Sequence, residues 1–334
     1  MAQKALNDKH KKQIAAGISG RNKGHKFEKI LTKKINALVF DEIIPTDNCS
    51  HVSIGNPAYV LLQYIANDMN ITIHGVKAYW LGGLATSNDG DILLDSNGCP
   101  ITKCKSDILL KLKSNNDILE IGISVKTCNK KTPTNDQMYY TTASAFCRLL
   151  EDNDIKIPEE AKYALSMFCG DTGFRPLDLM PPSDIEKRVS DPNRYYWEEL
   201  SSSAREYWEN IFNVYQDKIS MILFQKAYKN DPYVPQYLLH QTSKYEDFEH
   251  CPLAIFSMDE IVECSSDYSN FTLSEYIIRK GKYKNDNNIH KAPRFGFIQF
   301  QRGGQRQHPT QLQFNLKAGY FKSVNQQKFA NKLL

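Results

Sequence analysis

The sequence predicts an α/β protein of the α+β type, in which helices flank a mixed β-sheet and are followed by a helical insertion and a C-terminal β-ribbon. Three observations favour this class. Apolar residues alternate along two runs on either side of a polar turn at residues 114–117. Apolar residues recur at helical spacing in residues 20–40 and 184–229. Two aromatic-rich runs, at residues 295–300 and 312–316, are typical of paired strands.

The first predicted elements are a helix in residues 20–40 and a helix–strand pair in residues 51–81. The first helix follows a polar, lysine-rich stretch, and its apolar face consists of Phe27, Ile30, Leu31, Ile35 and Leu38. In the second region the run PAYVLLQYIANDM predicts a helix, and ITIHGVKAYWL predicts a strand that ends before Gly82.

A β-hairpin is predicted next, within residues 105–131. The runs DILLKL and ILEIGISVKT flank the turn Ser114-Asn115-Asn116-Asp117. Because strand side chains alternate, Ile121, Ile123 and Val125 lie on one face, while the opposite face carries Glu120, Gly122, Ser124 and Lys126. The hairpin therefore brings Asp107, at the start of the first run, close to Ser124 and Lys126 at the end of the second.

An acid and an amine at one sheet edge suit a Mg²⁺-dependent phosphodiesterase, because the acid ligates the metal and the amine stabilises charge on the phosphate. Ser106-Asp107, followed after a gap by Ser124-Val125-Lys126, resembles the core of the PD-(D/E)XK nucleases and, among them, the type II restriction endonucleases. The resemblance implies that Asp107, Ser124 and Lys126 are catalytic and that Asp107 and Val125 hold Mg²⁺. The alternative is that Asp107 caps a strand and Lys126 is a solvated surface lysine.

Ser124 stands where this family usually has Asp or Glu, so another element must supply a second carboxylate. Restriction endonucleases often carry a glutamate on the helix before the catalytic sheet, and Gly24-x-x-Phe27-Glu28 resembles that element. The resemblance makes Glu28 the candidate second metal ligand and a catalytic residue. A solvated carboxylate near a helix N-terminus, surrounded by lysines, is the alternative interpretation.

A second Asp-Ile-Leu-Leu run begins at Asp91 and competes with Asp107 for the catalytic role. Asp107 is preferred, because a short turn pairs its strand directly with the strand that ends in Lys126. Asp91 is separated from that strand by the turn-rich stretch DSNGCP.

Further elements follow the hairpin. Lys130 lies in a polar loop, where it is expected to contact a phosphate backbone, and MYYTTASAFCRLLED predicts a helix on the sheet. The aromatic residues of the helical region 184–229 recur every three to four positions, which is more typical of a core or a dimer interface than of base stacking. YVPQYLLHQ predicts a strand, and PLAIFSMDEIVE predicts a strand followed by a helix. His240 is isolated in the sequence, and a structural role is expected for it.

The C-terminal ribbon carries a candidate DNA-reading loop. One strand is predicted from Phe295 to Phe300 and another from Leu312 to Leu316. Arg pairs with guanine and Gln with adenine in the major groove, which a β-ribbon can enter. The predicted DNA-binding residues are therefore Arg302, Gln305, Arg306, Gln307 and Gln311 here, with Lys23 and Lys130 on the phosphates. A solvated polar loop is the alternative.

Composition agrees with a nucleic-acid partner. The chain has 334 residues and a net charge of +4, but residues 1–34 contribute +8 and residues 279–334 contribute +11. The remaining residues carry −15, so two basic ends are expected to clamp a polyanion; solvated tails are the alternative. The eight cysteines form no CxxC pair, and no signal peptide or long apolar segment is present, which favours a cytoplasmic protein with free thiols.

Together these features predict a type II restriction endonuclease that cuts double-stranded DNA with Mg²⁺. The expected organisation is a basic N-terminal arm (1–20), a catalytic core (21–170) and a region for dimerisation and DNA recognition (171–334). The resemblance also implies a homodimer, a bacterial host and a cognate DNA methyltransferase that protects the same site. The alternatives are a non-catalytic DNA-binding protein that keeps a nuclease-like fold, and a DNA repair nuclease.

Overall fold

The computed structural model describes residues 8–46, 50–82, 94, 98–101, 104–115, 117–188, 190–225, 231–277, 289–302 and 311–324. Helices accompany one six-stranded mixed sheet and one five-stranded sheet, which confirms the predicted α+β class. The chain forms two compact units. The six-stranded unit comprises Ala15–Asp136, Met221–Cys264 and Ala318–Leu334, and the five-stranded unit comprises Met1–Ile14, Gln137–Ser220 and Ser265–Lys317.

The elements are numbered in chain order. The strands are β1 (Val52–Gly55), β2 (Gly75–Trp80), β3 (Ile108–Ser114), β4 (Asp117–Thr127), β5 (Asp136–Thr141), β6 (Pro235–Gln241), β7 (Cys251–Ser257), β8 (Thr272–Ile277), β9 (Ile289–Phe295), β10 (Ile298–Arg302) and β11 (Leu312–Leu316). The α-helices are α1 (Asp8–Asn36), α2 (Pro57–Met69), α3 (Ala143–Glu151), α4 (Glu159–Cys169), α5 (Pro176–Leu179), α6 (Pro182–Lys187), α7 (Ser202–Val214), α8 (Gln216–Gln225) and α9 (Met258–Tyr268). No helix in these ranges has the length and apolar character that a bilayer crossing requires.

The six-stranded sheet has the order β1-β7-β6-β4-β3-β2, and its β4–β6 pair is parallel whereas the other pairs are antiparallel. β3 and β4 form the predicted hairpin, with Ile108 opposite Ile123 and Ser114 opposite Asp117. Asn115 lies in the turn with a φ of 49°, a left-handed conformation that Asn tolerates better than most residues. The apolar face of this hairpin enters the core of the unit, where it packs with Phe27, Leu31, Leu61, Leu62 and Ile65.

α1 is held along the edge of this sheet at its C-terminal end. It begins at Asp8, ahead of the predicted helix start at residue 20, and ends at Asn36. The Asn36 side chain accepts a hydrogen bond from Ala78 N at 2.7 Å and donates one to Ala78 O at 2.9 Å. Because both backbone groups of Ala78 are engaged, α1 runs beside β2 with Glu28 next to Trp80.

The five-stranded sheet has the order β5-β11-β10-β9-β8 and an aromatic core. Phe212 of α7 lies 4.7 Å from Phe295 and 5.0 Å from Phe300, measured between ring centroids. Trp197 and Trp208, both from the predicted aromatic helical region, are fully buried. Aromatic burial therefore supplies much of the apolar area in this unit.

Residues 138–141 were predicted as the start of a helix but belong to β5. The physical reason is a capping interaction, since Thr142 Oγ1 accepts a hydrogen bond from Ala145 N at 3.2 Å and starts α3 at Ala143. Before that cap, the aromatic and β-branched residues Tyr139, Tyr140 and Thr141 suit an extended backbone.

The predicted single strand from Phe295 to Phe300 is also wrong, because a turn divides it into the end of β9 and the start of β10. Phe295 lies opposite Ile298 across this turn, and Gly296 has a φ of 51°. A Cβ at Gly296 would collide with the backbone of Ser265. Both the left-handed conformation and the close contact require glycine.

We therefore expect Gly296→Ala to lower the free energy of unfolding by about 2–4 kcal/mol, combining the cost of left-handed backbone with overpacking. Gly319→Ala is the matched control, because Gly319 has a φ of 70° but no atom within 4 Å of an added Cβ. It should cost only about 1–2 kcal/mol. Urea unfolding of both variants measures the difference, and equal destabilisation would contradict the contact with Ser265.

Candidate active site

The register of β3 and β4 brings Asp107, Ser124 and Lys126 together. Asp107 N donates to Ile123 O at 2.8 Å, which continues the antiparallel ladder one residue beyond β3. Asp107 therefore lies opposite Ser124, on the face of the sheet that points away from the buried side chains of Ile121, Ile123 and Val125. The predicted juxtaposition of the acid with the serine and the lysine is present in the structure.

The Asp107 carboxylate is held by several donors. Its Oδ2 accepts a hydrogen bond from Val125 N at 2.6 Å and from Ser124 Oγ at 3.4 Å, and lies 4.0 Å from Lys126 Nζ. Lys126 Nζ also donates to Ser124 Oγ at 3.3 Å and to Val125 O at 3.1 Å. The side chains of Asp107 and Lys126 remain 27% and 20% exposed, so solvent and a ligand can reach the pair.

Glu28 reaches the same region from α1, and it is buried rather than solvated. Trp80 Nε1 donates to Glu28 Oε2 at 2.9 Å. Burial, followed by the negative charge of Asp107, raises the pKa of Glu28 to about 7, while Trp80 and the cations of Lys126 and Lys29 lower it. Two carboxylates that repel each other in a partly dehydrated site form an arrangement that a bound cation would stabilise.

Trp80, which donates to the Glu28 carboxylate, is itself contacted by two further residues of α1. Lys29 Nζ lies 4.1 Å from the centre of the Trp80 ring, and the His25 ring packs edge-on against the indole at 5.8 Å. A Cβ at Gly82 would lie 2.7 Å from Glu28 Oε2, so a larger residue at that position would displace the carboxylate. The sequence predicted Glu28, but it contained no signal for the contact with Trp80, which lies 52 residues away along the chain.

A second segment, at residues 231–233, holds the stretch that leads into Asp107. Asp231 accepts backbone hydrogen bonds from Lys105 N and from Tyr233 N. Ser106 Oγ donates to Tyr233 O at 2.6 Å. Burial is the main cause that raises the pKa of Asp231. The sequence analysis missed Asp231, although Asp231-Pro232 is itself a turn signal.

Lys105 adds a second amine beside the pair formed by Asp107 and Lys126. Burial, and then the charge of Lys126, lowers the pKa of Lys105 to about 7, while Asp107 and Asp231 act in the opposite direction. The sequence shows that Lys105 is two residues before Asp107. It contains no signal for the burial that lowers the pKa of Lys105.

His240, which is isolated in the sequence, has partners in the fold. It lies beside Lys126 in the parallel β4–β6 pair. Its Nε2 is 2.9 Å from Asp136 Oδ2, its Nδ1 is 3.3 Å from the Tyr320 hydroxyl, and the two rings stack. This buried cluster supports the sheet next to Lys126, which agrees with the structural role expected for His240.

The predicted DNA-binding residues occupy varied positions. Lys23 on α1 and Lys130 after β4 are exposed, and Gln311 is partly buried just before β11. Arg302 is only 9% exposed and lies 3.6 Å from the Asp191 carboxylate, and burial lowers its pKa to about 10. It would have to leave that position to reach a groove, so we do not retain it as a base-reading residue. Four of the candidate site residues named in the sequence analysis lie outside the described ranges: Gln305, Arg306, Gln307 and Asp91, which competed with Asp107 for the catalytic role.

The oxygen atoms near Asp107 and Glu28 suit a Mg²⁺ ion that is bound jointly by the protein and a substrate phosphate, rather than by the protein alone. Within the described ranges no three His, Cys, Asp or Glu side chains group in a way that could hold a metal ion. Asp107, Glu28 and the Val125 carbonyl offer hard oxygens, and Mg²⁺ usually takes one or two carboxylates together with water and substrate phosphates. The residues present therefore fit Mg²⁺ when a phosphate completes the coordination.

No protein-family model matches the chain, and no curated protein sequence matches it. The assignment of chemistry therefore depends on the geometry described above.

The raised pKa of Glu28 predicts a pH-dependent stability. A carboxyl whose folded pKa exceeds its unfolded value of 4.5 stabilises the fold at low pH, and this stabilisation is lost as the pH rises towards about 7. The free energy of unfolding of the wild type relative to Glu28→Gln should therefore fall by roughly 2–3 kcal/mol between pH 4.5 and 7.5 without divalent cations.

Urea unfolding at each pH measures this difference, and the comparison with the glutamine variant cancels the contributions of other groups. Lys105 is one of them, since its lowered pKa makes stability rise with pH above about 7. A difference that does not change with pH would show that the Glu28 carboxylate is not buried as described.

Proposed function

We propose that the chain is a Mg²⁺-dependent endonuclease that hydrolyses phosphodiester bonds in double-stranded DNA. The observation that carries the proposal is the meeting of Asp107 and Lys126 at one end of β3 and β4, with the buried Glu28 close enough for its pKa to respond to Asp107. Two acids and a cation, brought together from distant parts of one unit, match the needs of phosphoryl transfer to water.

Each residue has a distinct role in this proposal. Asp107, Glu28 and the Val125 carbonyl would hold Mg²⁺, which supplies Lewis-acid stabilisation of the phosphate when it is bound. Lys126 Nζ, which donates to Ser124 Oγ and Val125 O in the structure, would turn to a phosphate oxygen as negative charge develops there and leave Val125 O to the metal. Ser124 orients Lys126 and Asp107 without contributing a charge.

Within this class we propose a type II restriction endonuclease. The resemblance of Ser106-Asp107 and Ser124-Val125-Lys126 to that family supports this form, as do the basic ends of the sequence. It carries the further proposals of a homodimer that cuts both strands of a palindrome and of a cognate DNA methyltransferase in a bacterial host.

One observation favours a non-catalytic DNA-binding protein instead. Asp107 Oδ2 accepts the Val125 N–H at 2.6 Å, which is a structural use of the carboxylate. In that case Asp107 would fix the β3–β4 ladder, and DNA binding would need no metal.

Plasmid cleavage separates the two functions. Incubation with Mg²⁺ should give discrete linear fragments that EDTA abolishes, and Asp107→Ala and Lys126→Ala should each lower the cleavage rate by at least about 100-fold. Both variants should still bind DNA in EDTA, because other contacts carry the affinity. Wild-type DNA binding without cleavage would favour the non-catalytic protein, and cutting at DNA junctions alone would indicate a repair nuclease.

The source of the second carboxylate can be tested by comparing Glu28→Gln with Ser124→Ala. We expect Glu28→Gln to lower the cleavage rate by about 100-fold and to raise the Mg²⁺ concentration required, since it removes a charged ligand. Ser124→Ala should lower the rate by less than about 10-fold, since it removes only hydrogen bonds of 3.3–3.4 Å. The reverse order of effects would assign the catalytic role to Ser124.

A further inference from the structure

A cluster of lysines and tyrosines lies on β2, on β3 and in the segment just before β6, away from Asp107 and Lys126. Lys77 pairs with Lys111 across the two strands, and both amines lie over the Tyr79 ring, with Lys77 Nζ at 5.2 Å and Lys111 Nζ at 5.8 Å from the ring centroid. Tyr233 is near enough to Lys111 and Tyr79 to interact with both electrostatically. We call Lys77, Tyr79, Lys111, Lys113 and Tyr233 the lysine–tyrosine patch.

The patch occupies the same face of the sheet as the candidate catalytic residues. Ile108, Leu110 and Leu112 of β3 enter the core, so Asp107, Lys111 and Lys113 project from the opposite face. Lys111 is four residues beyond Asp107, which corresponds to about 13 Å along an extended strand.

The face between the two sites is covered. Leu109 lies between Asp107 and Lys111 on this face and is only 1% exposed. The patch and the catalytic residues are therefore two separate polar openings on one face. A ligand that contacts both must be long enough to bridge about 13 Å.

The charge of the lysine–tyrosine patch indicates which kind of ligand could contact both the patch and the catalytic residues. Lys77 and Lys113 are exposed, and Lys111 is partly exposed. Within the part of the chain that the structure describes, the acid in contact with these lysines is Glu120, whose carboxylate lies 2.7 Å from Lys111 Nζ and raises the pKa of that lysine. Three cations beside one acid attract an anion, and lysine amines and tyrosine hydroxyls both donate hydrogen bonds to the phosphate oxygens of DNA.

A protective role for these lysines is the main competing explanation. β2 lies at the end of the described six-stranded sheet, and lysines on edge strands prevent sheets from pairing with each other. That explanation applies to Lys77, but Lys111 and Lys113 belong to β3, which is paired on both sides. It also gives no reason for the two amines that lie over the Tyr79 ring.

We propose that the lysine–tyrosine patch binds the phosphate backbone of duplex DNA on one side of the scissile bond. This inference depends on the proposed function, which places the scissile phosphate at Asp107. At about 3.4 Å of helix rise per nucleotide, 13 Å places the contact roughly four nucleotides from the cleaved bond. The patch contributes affinity without base choice, because phosphate contacts carry no sequence information.

The test is the binding of a fluorescent 30-base-pair duplex in EDTA across a salt series. Lys77→Ala/Lys111→Ala should weaken binding roughly ten-fold and reduce the slope of log affinity against log salt by about 1–2. Lys156→Ala/Lys187→Ala is the matched control, because it removes two exposed lysines from the five-stranded unit. It should leave both quantities unchanged.

Glu120→Gln should change the duplex affinity in the direction opposite to that of the lysine variants. It removes the acid that pairs with Lys111 and should strengthen duplex binding roughly three-fold and steepen the salt dependence. The side chains of this ion pair are 39% and 45% exposed, and solvent-exposed pairs contribute only about 0–1 kcal/mol, so all these variants should fold. Circular dichroism and thermal melting of each variant are the controls for folding.

Three outcomes would overturn the patch proposal. Unchanged affinity in the double lysine variant with new self-association would assign these lysines to edge protection. A loss equal to that of the control pair would show a general effect of charge. A loss on a single strand of the same sequence but not on the duplex would assign the patch to unpaired DNA.

Failure of the proposed function gives a different result. In that case the wild type would not cleave plasmid with Mg²⁺, whatever the patch variants do. If the wild type cleaves and the patch variants bind as it does, only the patch proposal is wrong.

Discussion

The register of β3 against β4 is the constraint on which the candidate active site depends. A slip of one residue would turn Ser124 and Lys126 into the core and bring Ile123 and Val125 to the polar face. The short turn at Asn115 prevents that slip, and so does the burial of the alternate apolar residues against α1 and α2. Local turn chemistry and core packing therefore specify the same register, and the placement of Asp107 follows from it.

Burial of Glu28 is the second constraint, and it opposes stability. A carboxylate that is 6% exposed and close to another acid costs free energy when it ionises, which is why its pKa rises to about 7. The fold accepts this cost because Asn36 fixes the end of α1 on β2 and Trp80 donates to the carboxylate. Such arrangements are common where a site is completed by a cation that the protein alone does not supply.

The candidate site is assembled from four separate parts of one unit. α1 supplies Glu28, the hairpin supplies Asp107 and Lys126, β2 supplies Trp80, and residues 231–233 hold the stretch before Asp107. The precision of the site thus depends on strand order, since β6 follows this last segment directly and pairs in parallel with β4. A substitution in residues 231–233 would therefore shift Asp107 although Asp107 itself is unchanged.

The sequence by itself determined the elements whose signal is local. Period-2 alternation and a polar turn were sufficient for the hairpin, and with it for the meeting of Asp107 with Ser124 and Lys126. Helical spacing was sufficient for α2 and for the buried face of α1 that positions Glu28. These patterns are readable because neighbouring residues create them.

Only the tertiary structure decided the features that depend on distant partners. Three of these contacts join residues more than fifty positions apart. They are the hydrogen bond from Trp80 to Glu28, the hydrogen bond from Lys105 N to Asp231 and the pairing of His240 with Asp136. Arg302 was expected at a DNA groove, yet the packing of its unit places it beside Asp191. The turn at Gly296 depends on the close approach of Ser265. No local pattern encodes such contacts, because the free energy that selects them arises only when the sheets and helices pack together.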